Sequence, residues 1–157
     1  MEQSVKVVLV DDNSDYRFTM GVFLERNGFE VITAEDGEKG WELIQKEKPD
    51  IILLDIMMES LFSGFEVCKR VREDAELKEI PIIGVSGVGD ELGIRPDGQA
   101  DFPYFSPDDF VEKPVNKEKL LVKIGEVLEK ADKLRQRSPG QKKLEEETKD
   151  KYLSSLS

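Results

Sequence analysis

Short, almost unbroken apolar runs alternate along this chain with segments whose apolar residues recur at helical spacing. Val5 to Val10, Ile51 to Leu54 and Ile80 to Val85 are the runs. Their shortness and β-branched content predict strands covered on both faces. Val31 to Ala34 is a weaker candidate, and Phe110 to Glu112, just before Pro114, is a last one. Between them Phe18, Val22 and Phe23, then Trp41, Leu43 and Ile44, then Phe65, Cys68 and Val71 keep the spacing of amphipathic helices. Leu120, Leu121, Ile124, Val127 and Leu128 form a final stripe that can close the core. Strand and helix in alternation predict a doubly wound α/β fold with a mostly parallel sheet, because each parallel pair needs a crossover. In such a sheet functional groups gather at the carboxyl ends of the strands.

The apolar pattern fades near Ala131. The 157 residues therefore divide into one compact domain over 1–131 and a polar C-terminal tail over 132–157. Ser138-Pro139 followed by Lys142 to Leu156 resembles a capped start to a weakly amphipathic helix, so the tail reads either as mobile or as a short docking helix. Residues 131–157 carry a net charge of +2, against −13 on residues 1–130.

Charge and composition narrow the function. A formal charge of −11 makes the surface repel nucleic-acid phosphates and anionic membrane, so no direct nucleic-acid partner is expected. No run approaches the length of a membrane span and no signal peptide is legible, which makes the cytoplasm the expected address and excludes membrane insertion. The one cysteine, Cys68, sits on an apolar helix face and reads as core packing. With no histidine, any chemistry must come from carboxylates, lysines and hydroxyls.

Those groups coincide at the strand ends. Asp11 and Asp12 follow the first strand and Asp55 follows the third, which brings three carboxylates to one edge. Their mutual repulsion calls for a hard cation, and Mg²⁺ (or Mn²⁺) suits a site of a few carboxylates, water and a phosphate oxygen. Lys113 follows the last strand and can pair with Asp55 or a phosphoryl oxygen, while Ser86 ends the fourth strand with Gly84 and Gly87 beside it. An aspartate carboxylate can attack phosphorus while a cation and a lysine neutralise the equatorial oxygens. Asp55, alone between apolar residues, is the best nucleophile candidate. Each residue also has a plainer reading: Asp12 or Ser14 as the cap of a helix beginning near Asp15, and Lys113-Pro114 as an ordinary loop.

As a set, VLVDDN (8–13), IILLDIMM (51–58), GFEVCKRVR (64–72), IIGVSG (82–87) and FVEKPV (110–115) resemble the receiver domain of two-component response regulators, over about residues 4–130. The resemblance implies a five-stranded flavodoxin-like sheet of order 2-1-3-4-5 and phosphoryl transfer from a sensor histidine kinase or phosphotransfer protein, with Mg²⁺. By position it implies Asp55 as phosphoacceptor, Asp11 and Asp12 as the metal pair, Met57 as a backbone-carbonyl ligand and Lys113 as charge partner. Ser86 and Phe110 resemble the switch pair, and Lys113-Pro114 resembles a cis peptide. Signalling would run through altered binding to a downstream protein target, a homodimer remaining open, and the chain would be no enzyme beyond its own phosphorylation and dephosphorylation.

Two departures stand out. The loop MMESLFSG after Asp55 places Glu59 near the expected metal. Residues 88–108 are broken by Gly and Pro, which predicts a short or irregular fourth helix and leaves Phe102, Tyr104 and Phe105 as packed loop or partner site. Two rivals remain: a degenerate receiver acting as a phosphorylation-independent interaction module, and a phosphatase turning over on Asp55. The second lacks the general acid two residues on, where Met57 stands. The residues after 131 are too few for a DNA-binding output unit.

Overall fold

The computed structural model describes residues 4–56, 63–86 and 107–136. The order is β1 (Lys6–Val10), α1 (Ser14–Arg26), β2 (Glu30–Ala34), α2 (Gly37–Glu47), β3 (Ile51–Asp55), α3 (Ser63–Glu73), β4 (Ile82–Ser86), β5 (Asp109–Glu112) and α4 (Lys117–Gln136). All strand pairs are parallel and the sheet runs β2-β1-β3-β4-β5. This is the flavodoxin-like order expected. Met57, Glu59 and residues 87–106, with the expected irregular helix, lie outside the described residues, as does the tail from 137.

The continuous apolar strands follow from burial on both faces. Val8, Val10, Ile52 and Leu54 point into one cluster with Ile44, Phe65, Cys68 and Val71 of α2 and α3. Val7, Leu9, Ile51 and Leu53, the alternate positions, point into a second with Met20, Leu24, Leu120 and Ile124 of α1 and α4. Cys68 is buried, as its apolar flanks predicted. Among the described residues no helix is long and apolar enough to cross a membrane.

Three details differ from the sequence expectations. The cap of α1 is Asn13, not Asp12 or Ser14: its side-chain oxygen accepts the Tyr16 N–H at 3.0 Å. That cap starts the helix at Ser14; Met20, Gly21 and Leu24 face inward and Phe18 stays 74% exposed. The fourth strand begins at Ile82 rather than Ile80, because the Ile80 N–H closes a turn onto Leu77 and Pro81 has no N–H to donate.

Arg72 ties the end of α3 to the strands that follow. Its guanidinium donates to the carbonyls of Lys78 and Ile80, each at 2.8 Å, and to Asp108 Oδ2 at 2.7 Å. Asp108 Oδ2 also accepts the Ile82 N–H at 2.8 Å, fixing the chain entering β5 against the start of β4.

Candidate phosphoacceptor site

Asp11 leaves β1 with its N–H bonded to the Ala34 carbonyl at 3.1 Å, so the sheet holds it one residue past the strand. Asp55 ends β3 in register with Val85, and the Ile56 N–H donates to the Val85 carbonyl at 3.1 Å. Lys113 directly follows β5, and the peptide joining it to Pro114 is cis. Parallel strands thus deliver these groups to one edge on short backbone tethers. Gly64 is required beside them: a Cβ there would lie 2.5 Å from Ile56 Cα and 2.8 Å from the Asp55 carbonyl oxygen.

Asp11 and Asp55 are almost wholly buried, at 0% and 2% exposure, while Asp12 is exposed. Lys113 Nζ lies 3.0 Å from Asp11 Oδ2 and 3.4 Å from Asp55 Oδ2. Burial draws the lysine pKa down, but hydrogen bonding to Asp11 and the charges of Asp55 and Asp11 outweigh it, and the ammonium is held above its ordinary range. Asp11 Oδ1 accepts the Asn13 N–H at 2.9 Å, which fixes the second oxygen.

Asp11, Asp12 and Asp55 each offer an oxygen, and these lie within 4.8 Å of one another. On an octahedral Mg²⁺ ion neighbouring oxygens stand about 3.0 Å apart and opposite ones about 4.2 Å, so a hard cation there would draw the three carboxylates inward. The donors are all carboxylates, which suits Mg²⁺ or Mn²⁺ better than softer metals.

Two residues of this site escaped the sequence reading. The Tyr16 ring centroid lies 4.5 Å from Lys113 Nζ, within cation–π range. Burial, then the charges of Asp11 and Asp55, push the Tyr16 phenol pKa well above its usual value. Arg17 Nη1 donates to the Asp11 carbonyl at 2.7 Å. The available signal was positional, since a helix starting just after Asp12 carries its first turn across the strand ends.

Of the switch pair, Phe110 is partly buried against the α2–α3 side of the core, and its carbonyl accepts from Lys123 Nζ at 2.9 Å. Ser86 ends β4 opposite Glu112. Its side chain, like Met57, lies outside the described residues.

The structure is thus a doubly wound parallel sheet with buried acids and a lysine at its carboxyl edge, and comparison with known proteins gives the family. Residues 7–125 match the response regulator receiver domain, and the chain belongs to that family. PilH of Pseudomonas aeruginosa is 34% identical over 127 residues, covering 78% of this chain and 97% of PilH. The transcriptional regulatory protein AfsQ1 of Streptomyces coelicolor is 32% identical and covers 81% of this chain. The chain spans about half the length of several curated relatives, 52% of AfsQ1 among them. The chemotaxis response regulator CheY4 of Vibrio cholerae superposes with a TM-score of 0.68 at 30% identity, over 80% of this chain and 99% of CheY4. The receiver domain of the sensor histidine kinase PA1611 of Pseudomonas aeruginosa, with a magnesium ion in its active-site cleft, shares the fold at 18% identity and a TM-score of 0.68, over 80% of this chain and 98% of that domain.

Proposed function

We propose that the chain accepts a phosphoryl group on Asp55 from a sensor histidine kinase or phosphotransfer protein, and signals by changed binding to a protein target. The observation that carries this reading is the set of three carboxylates with oxygens within 4.8 Å, two of them buried and bridged by Lys113, in a receiver-family chain. Asp55 Oδ attacks phosphorus, the new P–O bond forms as the P–N bond to the donor imidazole breaks, and the electron pair leaves on that nitrogen. Asp11 and Asp12, with the Asp55 carboxylate and the Met57 carbonyl, would hold Mg²⁺ (or Mn²⁺). A cation there supplies positive charge to the transferring phosphoryl oxygens. Lys113 supplies a second positive charge from the β5 side, partly desolvated and already held beside the carboxylates.

In this reading the chain turns over no substrate besides its own aspartate. Ser86 and Phe110 convert the added charge into a changed surface beside β4 and β5. The test is intact-protein mass after incubation with a small phosphoryl donor, with and without Mg²⁺. One phosphoryl adduct that needs Mg²⁺ and vanishes in Asp55→Asn is the expected result. No adduct under any condition would replace the reading with a phosphorylation-independent interaction module.

A further inference from the structure

We propose that Tyr16 is the positioning residue for Lys113, the face of its ring keeping the ammonium at the strand ends while Asp11 and Asp55 change partners. The inference rests on the phosphoacceptor reading above and names a residue that serves the same site.

Lys113 Nζ reaches Asp11 Oδ2 at 3.0 Å, Asp55 Oδ2 at 3.4 Å and the Tyr16 ring at 4.5 Å from its centroid. The first two contacts are to carboxylates that would also bind the cation. When those oxygens turn to a divalent ion, the lysine loses hydrogen-bond acceptors and faces a like charge. A lysine stem has many rotamers, and an ammonium released in this way would move to solvent. The ring face is the contact that cation binding leaves in place, and it attracts a desolvated ammonium without competing for oxygen.

The ring is itself held from two sides. Its backbone N–H is fixed by the Asn13 cap at 3.0 Å, and its side chain packs on the cluster of Val7, Leu9 and Met20. Its position is therefore set by α1 and the core, independently of the phosphoryl group, as preorganised charge stabilisation requires. The face rather than the hydroxyl is the working part, so phenylalanine can replace tyrosine and leucine cannot.

The test combines kinetics with a measurement that needs no phosphorylation. With acetyl phosphate and saturating Mg²⁺, Tyr16→Leu slows Asp55 phosphorylation about 5- to 30-fold, with the half-saturating donor concentration unchanged. Tyr16→Phe stays within about twofold of wild type, and in a Lys113→Met background Tyr16→Leu adds less than about twofold. By NMR, the Lys113 ε-methylene protons carry a ring-current shift in wild type and Tyr16→Phe that survives Mg²⁺ titration and is absent in Tyr16→Leu. An equal effect of Tyr16→Leu in the Lys113→Met background, or a shift that collapses with Mg²⁺, overturns the proposal. A wild type that takes no phosphoryl group overturns the phosphoacceptor reading instead, while the ring-current result still decides whether Tyr16 holds Lys113.

Discussion

Replacing Lys113 with methionine keeps the length and apolar character of its stem and removes only the ammonium. What remains is a pair of carboxylates, Asp11 at 0% and Asp55 at 2% exposure, without the ammonium that bridges them. At an effective dielectric of about 20, contacts of the observed lengths each represent a gross attraction of about 5 kcal/mol, most of it offset by dehydration of the charges. Breaking a buried ion pair from one side destabilises by about 3–5 kcal/mol, because the other side stays uncompensated. Lys113 itself is 28% exposed, so water screens part of its field and the low end applies. We expect Lys113→Met to lose about 3 kcal/mol, or about 6–12 °C in Tm for a chain of this size.

Denaturant unfolding followed by Trp41 fluorescence, in EDTA, measures that loss. Adding Mg²⁺ should then stabilise Lys113→Met more than wild type, since no ammonium has to leave the oxygens first. Ligand at about a hundredfold excess over its Kd adds about 2.7 kcal/mol to the folded state. The pH dependence has a definite sign. A lysine whose folded pKa is raised favours the protonated folded state, so its contribution is complete below its ordinary value of 10.5 and is lost as pH rises through the folded value. The gap between wild type and Lys113→Met should therefore hold constant through neutral pH and close only in strong alkali. Equal midpoints for the two proteins in EDTA would refute the electrostatic account, and a gap that closes toward neutral pH would refute its assignment to Lys113.

Gly64→Ala should destabilise by more than about 2 kcal/mol and abolish phosphorylation, because its Cβ meets backbone of Ile56 and Asp55 that cannot move without shifting the site. Gly125→Ala, in exposed helix with nothing within 4 Å, should instead stabilise by about 1 kcal/mol; denaturation midpoints check both. Arg72→Met should lose about 2–3 kcal/mol through its bonds to Lys78, Ile80 and Asp108, and hydrogen exchange at the Ile82 amide should accelerate more than at Val8. Alkaline titration of tyrosinate absorbance should show that the step missing in Tyr16→Phe lies well above the range of an ordinary tyrosine.

Strands β1 and β3 were legible because burial on both faces leaves no choice of residue: every position from Val7 to Val10 and from Ile51 to Leu54 enters one cluster or the other. The clustering of the acids and the lysine was legible for a related reason. Asp11, Asp55 and Lys113 each stand at a strand end, and parallel strands turn separate strand ends into one site. The phase of α1 was harder to read. Its apolar residues do not form a clean stripe, so their spacing alone does not say that Phe18 faces water while Met20 and Leu24 are buried. Tyr16 and Arg17 were missed because their contacts, a ring face under an ammonium and a guanidinium on a backbone carbonyl, leave no complementary charge in the sequence to pair them with.

The formal charges connect the resting site to its proposed output. Asp11, Asp12, Asp55 and Lys113 together carry −2, which a single divalent cation cancels. Under the proposed function, phosphorylation would replace the single charge of Asp55 with about −2, so a site holding a divalent cation would return to about −1. In a buried setting that remaining charge draws hydrogen-bond donors toward it. The neighbouring strand is β4, where Asp55 pairs with Val85 and the following residue is Ser86. Beyond it Phe110 of β5 lies opposite Gly84, its ring packed against the α2–α3 side of the core. Under the proposed function, the charge imbalance would therefore arise one residue from Ser86 and beside the strand that carries Phe110, so the electrostatics of the resting site would also act on the proposed switch pair.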